Sequence, residues 1–402
     1  MAKVISSTSA KKVSAQAALK SDELKNDLLK SKEPKVIKLE AKNPRVSQLG
    51  ASETALISAQ SLSRSNTYWG GYAYRIITQQ TQKIAELRSL VLSDKDPENL
   101  HQMRIATRRL SSALLLLQDA IDIRSKKGKK RKPEKLAKSV EEITKALGSV
   151  RDMDVMQQWF TAVLERDTDH RFSKKERKII ETLLKTIKKR RKKRLANMKA
   201  FLRNDRYKKP IAQFKKWTKQ PTFTKAAHVD ASTAAASKIV TPIANLLQHP
   251  AWTMASHVVS HTANLGSDQL APISELTLKQ LNQQLHTNGE QLHDLRKQIK
   301  RVRYQTEFFR GLYGITYAAQ IREFRKLQKV LGGLQDQIVI SQFLTNEVGK
   351  NWMQKLPTIS ADFQNSRLEL WQQWQPYQAK YLKLHSHLMR ANQREVVLSQ
   401  QR

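Results

Sequence analysis

The sequence contains no cysteine. It therefore excludes disulfide bridges, thiolate nucleophiles and zinc sites built on cysteine. Long apolar runs are also missing: the longest run near the most basic motif, residues 113–117, falls far short of the roughly 18 residues that a membrane-spanning helix needs. We therefore predict no membrane span.

The sequence also lacks the motifs of common enzymes that act on phosphates or esters. It has no Gly-rich phosphate loop of the G-x-x-x-x-G-K-S/T type and no G-x-S-x-G turn. Carboxylates that would hold divalent metal ions are sparse around its basic motifs. His257 and His261 share a spacing that suits a metal, but no carboxylate lies between them, unlike the zinc-protease pattern. We predict no catalytic residue, no metal site, no cofactor and no enzymatic activity.

Positive charge is present in large excess. The chain has 73 lysines and arginines against 35 aspartates and glutamates, a net charge of +38. Because such an excess repels itself in a compact fold, it indicates a polyanionic partner. Nucleic acid, an acidic membrane surface and a phosphate polymer all fit this charge.

Residues 1–65 mix serine, lysine, alanine and glutamate with few large apolar side chains, a composition typical of disordered segments. A basic start that is poor in acids would also fit an organelle transit peptide. Acids appear from Asp22 onward and arginine is absent before Arg45, so we favour a plain disordered extension. After it, apolar residues recur at helical spacing, and no stretch alternates long enough to predict a sheet.

The most informative stretch is residues 100–122. Asp96 followed by Pro97 predicts the capped start of its helix. The stretch opens with one histidine and three arginines, which at about 100° per residue fall within an arc of roughly 140°. These residues are His101, Arg104, Arg108 and Arg109. Cations at such spacings repel by a few tenths of a kcal/mol per pair, so we expect an anion to lie between them.

The same pattern returns in altered form near residue 293. Aligning His101 with His293, an offset of 293 − 101 = 192, pairs each basic residue of the first motif with one of the second. The pairs are Arg104 with Arg296, Arg108 with Lys300, and Arg109 with Arg301.

A second pattern also recurs. Leu-Gly-x-Val-x-Asp-x-x-Val at residues 147–155 matches Leu-Gly-x-Leu-x-Asp-x-x-Val at residues 331–339, an offset of 331 − 147 = 184. Two matches in the same order predict a duplicated helical unit, with a bundle of about four helices in each half. We interpret each glycine as a helix end and each aspartate as the cap of the next helix. The residues concerned are Gly148, Asp152, Gly332 and Asp336.

Four segments in this order resemble the CHAD domain, the conserved histidine α-helical domain. They are LHQMRIATRRL, ALGSVRDMDVM, LHDLRKQIKRVRY and LQKVLGGLQDQIV, and the resemblance spans about residues 66–390. It implies a pair of four-helix bundles related by pseudo-twofold symmetry, with basic residues of both lining a central surface that binds inorganic polyphosphate. CHAD domains are sometimes joined to a triphosphate-processing β-barrel, whose Glu-x-Glu-x-Lys signature is absent from this sequence.

The resemblance also implies which residues bind polyphosphate. By motif position they are His101, Arg104, Arg108, Arg109, Arg151, His293, Arg296, Lys297, Lys300, Arg301 and Arg303. The second half departs from the family's Arg-Asp pair, because Gln335 stands where the first half has Arg151. For His101 and His293, contact with the ligand and orientation of the arginines both stay open.

Polyphosphate is a flexible chain that carries negative charge along its length and has no bases. Its receptor therefore needs spaced cations; arginine binds phosphate oxygens in pairs, whereas lysine acts as a point charge. A bound polyanion also favours the protonated form of a nearby histidine, so we predict that affinity rises as pH falls from 8 to 6. We interpret the basic runs at residues 126–132 and 185–194 as solvated.

These observations predict an all-α protein of two four-helix bundles related by internal pseudo-twofold duplication. The predicted segments are a disordered extension (1–65), a first bundle (66–218), a linker (219–237), a second bundle (238–390) and a C-terminal tail (391–402). We expect the protein to bind inorganic polyphosphate and to lie in the cytoplasm on polyphosphate granules. A basic helical protein that binds nucleic acid is the alternative, since a net charge of +38 suits it equally.

Overall fold

The structure is a computed structural model that describes residues 58–124, 131–259, 269–273 and 275–400. In these residues the chain forms eleven α-helices, two short 3-10 helices and one two-stranded hairpin. The predicted all-α class is therefore confirmed. Within the same ranges, no helix combines the length and the apolar character that crossing a membrane requires.

The helices fall into an earlier and a later set along the chain. The earlier set comprises α1 (Ala59–Arg64), α2 (Trp69–Ser93), α3 (Pro97–Leu116), α4 (Pro133–Glu165), α5 (Lys174–Arg203) and α6 (Asp205–Lys219). The later set comprises α7 (Ala231–Leu247), α8 (Leu278–Phe308), α9 (Ile315–Val348), α10 (Trp352–Lys355) and α11 (Pro357–Gln400). The 3-10 helices, Lys225–His228 and Pro250–Thr253, precede and follow α7.

The motif helix α3 begins as predicted. Asp96 accepts a hydrogen bond from the backbone N–H of Glu98 at 2.8 Å, and Pro97 stands at the first helical position. Met103 and Leu110 on the opposite face are fully buried. Burial of that face leaves the basic edge of α3 directed away from the apolar core.

The predicted helix ends at Gly148 and Gly332 are wrong. Helices α4 and α9 continue through both positions, so the two aspartates interpreted as caps lie inside helices. A Cβ at Gly148 would lie 3.2 Å from Arg104 Nε, and one at Gly333 would lie 2.8 Å from a methyl group of Leu370. Glycine at Gly148 and Gly333 therefore permits close approach of neighbouring side chains and does not end the helix.

Apolar side chains form three buried clusters. The first belongs mainly to the helices from α1 to α7, and the second to those from α7 to α11. The third joins residues of α4 and α5 to residues of α9, α10 and α11. Within it, the ring centroids of Phe160 and Phe343 are 5.9 Å apart. Apolar packing therefore connects the earlier and the later helices.

The carboxyl end of α8 packs into the first cluster. The ring of Phe309 lies 5.7 Å from that of Trp69 and 6.0 Å from that of Tyr72, between centroids. The Tyr72 hydroxyl donates to the backbone carbonyl of Phe308 at 2.5 Å. Because α8 also contacts α3, the two basic motifs lie on adjacent helices.

Several predicted boundaries differ from the structure. Helix α1 falls inside the predicted extension and is held there because Leu62 is fully buried; residues 1–57 lie outside the described ranges. The predicted linker, residues 219–237, contains a 3-10 helix and the start of α7. Helix α11 continues past the predicted end at residue 390 to Gln400. The internal duplication stays a prediction.

The hairpin lies in a region for which the sequence predicts only short helices or loops. Strand β1 (Ser256–Val259) pairs antiparallel with β2 (Gln269–Pro272), and Ser256 stands opposite Pro272. Each strand has four residues, which is too short for an alternating pattern to stand out in the sequence.

Candidate anion-binding site

Lys300 lies where the two basic motifs meet. Burial, followed by the charges of four neighbouring arginines, lowers the pKa of Lys300 to about 7. Arg104 and Arg108 act on it from α3, and Arg296 and Arg303 act from the turns before and after it on α8. We refer to Arg104, Arg108, Arg296 and Lys300 as the central basic cluster.

Arg104 is packed against α4. Its side chain is 19 % exposed, and its Nη2 lies 4.0 Å from Asp152 Oδ1. Burial lowers the pKa of Arg104, and the charge of Arg108 lowers it further. Since the Asp152 side chain is 61 % exposed, this ion pair is screened by water and neutralises Arg104 only weakly.

Arg296 has a comparable position against α9. Its Nε lies 3.9 Å from the place that a Cβ would take on Gly332. The Nε atoms of Arg104 and Arg296 are both buried, and neither has a hydrogen-bond partner within the described part of the chain. Each motif thus places one arginine against a glycine of the neighbouring helix.

The two motif histidines lie near residues that align with each other in the repeat, Arg151 for His101 and Gln335 for His293. Burial, followed by the charge of Arg151, lowers the pKa of His101, so this ring is largely uncharged at neutral pH. His293 Nδ1 lies 2.6 Å from Gln335 Oε1, an arrangement in which the ring N–H donates to the amide oxygen. The hydrogen bond fixes the orientation of the His293 ring against α9.

Arg109 and Arg303, which the resemblance assigns to polyphosphate, meet at Glu307 instead of standing free. The Arg303 guanidinium donates to this carboxylate, and Arg325 Nη2 of α9 lies 2.9 Å from it. Arg109 Nη1 lies 4.0 Å from Glu307 Oε2, and the guanidinium carbon of Arg109 lies 5.4 Å from the centroid of the Phe308 ring. Glu307 thus connects α3, α8 and α9. The i,i+4 spacing of Arg303 and Glu307 is visible in the sequence, whereas the contacts with Arg109 and Arg325 depend on the fold.

The two remaining predicted cations of α8, Lys297 and Arg301, point away from the central basic cluster. Lys297 and Arg301 are exposed, and each lies about 100° around the helix from its neighbour in the cluster. Lys297 Nζ lies 3.1 Å from Asp294 Oδ1 on the same helix. The structure therefore brings together only part of the predicted set.

The basic run at residues 185–194 has two kinds of side chain. Its lysines are exposed, as interpreted. Arg191, by contrast, donates to Asp94 at 2.8 Å and to Asp154 at 2.6 Å, because two carboxylates from distant segments converge on it. The interpretation of the whole run as solvated is therefore wrong for this arginine. Of the other run, residues 125–130 lie outside the described ranges.

Only one member of the candidate histidine pair for a metal lies within the described residues. His257 lies in β1, and His261 lies outside the described residues. Across the described ranges, no group of three or more histidine, aspartate or glutamate side chains is arranged to hold a metal ion. That the protein has no metal site stays a prediction.

The family model of the CHAD domain matches residues 75–345. The chain belongs to the CHAD domain family. The match includes both basic motifs and the two Leu-Gly segments of α4 and α9, which are the segments on which the sequence resemblance rests. The resemblance to CHAD domains is therefore confirmed.

The solved structures that are similar to this CHAD protein include a plant CHAD domain and a bacterial protein. The CHAD domain from the plant Ricinus communis is 20% identical, with 80% of this chain and 92% of that chain covered and a TM-score of 0.48. PptA from Streptomyces chartreusis is 16% identical, with 77% of this chain and 100% of that chain covered and a TM-score of 0.51. At this identity, the similarity to PptA concerns the fold alone. No curated protein matches the chain.

Proposed function

We propose that the protein binds inorganic polyphosphate through the central basic cluster. The observation that carries the proposal is the packing of α3 against α8, which brings Arg104 and Arg108 within electrostatic range of Arg296 and Lys300. Among the described residues, Asp152 is the one carboxylate within 4.0 Å of a cluster nitrogen. Like charges held together in a partly buried site repel one another, and a polyanion lying across them offsets that repulsion while accepting hydrogen bonds.

Membership of the CHAD family supports this ligand, because the resemblance implies polyphosphate binding at the motif positions. The surroundings of Tyr304, the aromatic residue of the second motif, favour polyphosphate over single-stranded nucleic acid. The guanidinium of Arg303 lies 4.4 Å from the centroid of the Tyr304 ring. Proteins that bind single strands offer open aromatic faces to the bases, and this face is covered by an arginine.

A competition measurement tests the proposal against nucleic-acid binding. The full chain is loaded with labelled RNA at fixed ionic strength and titrated with long-chain polyphosphate at matched charge, and the reverse titration is also performed. We expect polyphosphate to displace RNA at a concentration at least roughly tenfold lower than the RNA concentration that displaces polyphosphate. At matched charge, the geometry of the cluster is what distinguishes the two polymers. Equal competition in both directions would leave a general polyanion binder and contradict the proposal.

We also propose that binding occurs without catalysis. The basic motifs supply few carboxylates for divalent metal ions, which phosphoryl transfer ordinarily requires. Incubation of polyphosphate with the protein and Mg²⁺ or Mn²⁺ should release no phosphate above the protein-free control. Release that increases with protein concentration, and that disappears when cluster residues are replaced, would show an enzyme.

If the protein binds polyphosphate in the cell, it should lie in the cytoplasm on polyphosphate granules. A tagged protein should coincide with stained granules in cells that accumulate them. The same protein with Arg104, Arg108, Arg296 and Lys300 replaced by glutamine should be dispersed. Persistence of the replaced protein on granules would mean that another surface directs it there.

A further inference from the structure

A cleft of about 600 Å³ lies beside the central basic cluster, with walls from α1, α2, α3 and α8. Three arginines line it: Arg64, Arg75 and Arg109. Arg303, whose charge acts on Lys300 of the cluster, is paired with Glu307 of the cleft lining, so the cleft and the cluster adjoin on α8. Arg64 and Arg75 belong to neither basic motif.

The charge of the cleft is positive. Among its described lining residues, Glu307 is the one carboxylate, and it is shared between Arg303, Arg325 and Arg109. Its negative charge is therefore already balanced within the protein. The other two arginines of the cleft, both exposed, add positive charge for which the cleft offers no further carboxylate.

Within the described ranges, neither Arg64 nor Arg75 forms a salt bridge with a carboxylate. Arg75 donates to the neutral side-chain amide of Asn66. Its guanidinium carbon lies 4.7 Å from the centroid of the Tyr72 ring, which supports the side chain from one face. Arg64 lies in the last turn of α1. An arginine held in this way retains N–H groups that can donate to a phosphate oxygen.

Two residues of the cleft lining each have one buried polar atom without a hydrogen-bond partner. Thr78 Oγ1 and Arg109 Nε make no hydrogen bond within the described part of the chain, and both residues line the cleft. Each atom carries a proton to donate, and buried donors ordinarily have an acceptor. Phosphate oxygens are strong acceptors, so a phosphate group fits the positive charge of this cleft and the exposed guanidinium groups of Arg64 and Arg75.

We infer that this cleft binds phosphate groups of the same polymer that occupies the central basic cluster. The binding surface then extends from Lys300 past Arg109 to Arg75 and Arg64. The inference rests on the proposed function and adds a second stretch of polymer to it. A small phosphate compound would offer the cleft the same phosphate groups as the polymer. Comparing ligands of different chain length distinguishes these two occupants.

The test compares two pairs of substitutions in the full chain. Arg64→Gln with Arg75→Gln removes two charges from the cleft. The control, Arg203→Gln with Arg322→Gln, removes two charges from exposed positions outside it. Affinity is measured for long-chain polyphosphate and for tripolyphosphate at one ionic strength, and circular dichroism verifies that both variants are folded.

We expect the cleft pair to weaken binding of long-chain polyphosphate by about tenfold or more, since two charge-assisted contacts are lost. The control pair should weaken it by less than about threefold, because exposed charges act through screened interactions. We expect tripolyphosphate, with only three phosphate groups, to occupy the central basic cluster and to bind both variants as it binds the unmodified chain. An equal loss in both pairs would overturn the inference, and so would a loss for tripolyphosphate as large as that for the long chain.

Failure of this inference is distinguishable from failure of the proposed function. In a third variant, Arg104, Arg108, Arg296 and Lys300 are replaced by glutamine. If this variant loses polyphosphate binding while the cleft pair keeps it, the cluster binds polymer and the cleft does not. If neither variant changes the affinity, both proposals are wrong.

Discussion

The two motif helices place aligned residues in different surroundings. In α3 both cluster positions hold arginines, and Arg104 is tightly placed, 3.2 Å from the Cβ position of Gly148. In α8, Arg296 lies 3.9 Å from the Cβ position of Gly332, and the next position holds Lys300 with a pKa of about 7. The first motif therefore supplies permanent charge, whereas the second supplies a charge that depends on proton binding.

The largest difference in polyphosphate affinity should be between substitutions at inward-facing and at outward-facing positions of the two motifs. Arg104→Gln should weaken polyphosphate binding by at least about tenfold, because Arg104 is largely buried in the cluster and a charge-assisted hydrogen bond is lost. Arg301→Gln removes the same charge from an exposed position and should cost less than about threefold. Titration calorimetry of both variants measures the difference. Equal losses would show that total charge, and not position, decides affinity.

The pH dependence of binding, which we attribute to Lys300 of the second motif, should be the next largest effect. Binding a polyanion favours the ammonium form of Lys300 and raises its pKa from the value of about 7 in the free protein. Well below pH 7 the lysine is charged in both the free and the bound protein, so its titration does not make the affinity depend on pH. Above pH 7 binding takes up a proton, and affinity should fall by up to about tenfold per pH unit as pH rises.

Lys300→Arg keeps the charge at every accessible pH and should make the affinity constant between pH 7 and 9. His101→Gln should leave the change above pH 7 intact, since the lowered pKa of His101 places its titration at lower pH. Binding measured across this range in the two variants separates the groups. A pH dependence that disappears in His101→Gln and persists in Lys300→Arg would contradict this assignment.

The glycine contacts should give the smallest effect. Alanine in a helix interior is more favourable than glycine by about 0.5–1 kcal/mol, and Gly332→Ala has room for its methyl group. It should raise the melting temperature slightly and leave affinity unchanged. Gly148→Ala should displace Arg104 by a few tenths of an ångström and weaken polyphosphate binding by about threefold. Melting temperatures and dissociation constants are measured for both variants. Unchanged affinity in Gly148→Ala would show that this glycine does not position Arg104.

The sequence was sufficient for features that depend on local chemistry. The cap formed by Asp96 and the proline after it predict the start of α3 correctly, and the motifs predict the family. Gly148 was misread because a glycine that ends a helix and one that admits a neighbouring side chain look alike in sequence. What distinguishes them is the position of Arg104 on another helix.

The parts of the site that the sequence does not predict are contacts between distant segments. Glu307 joins arginines from three helices, and only one of those contacts has a local spacing. The cleft depends on Arg64, which lies in the predicted disordered extension but belongs to helix α1, Ala59–Arg64. Burial of Leu62 holds that helix in place, and a single apolar residue leaves no periodic pattern.

The most direct test of the central claim compares two variants that each lose four positive charges. One replaces Arg104, Arg108, Arg296 and Lys300 by glutamine, and the other replaces the exposed Lys188, Lys189, Lys192 and Lys193. At one ionic strength, the affinity for long-chain polyphosphate should fall by at least roughly 100-fold in the first variant and by less than about tenfold in the second. Equal losses in two folded variants would contradict the account, because they would mean that the arrangement of cations around Lys300 contributes nothing beyond charge.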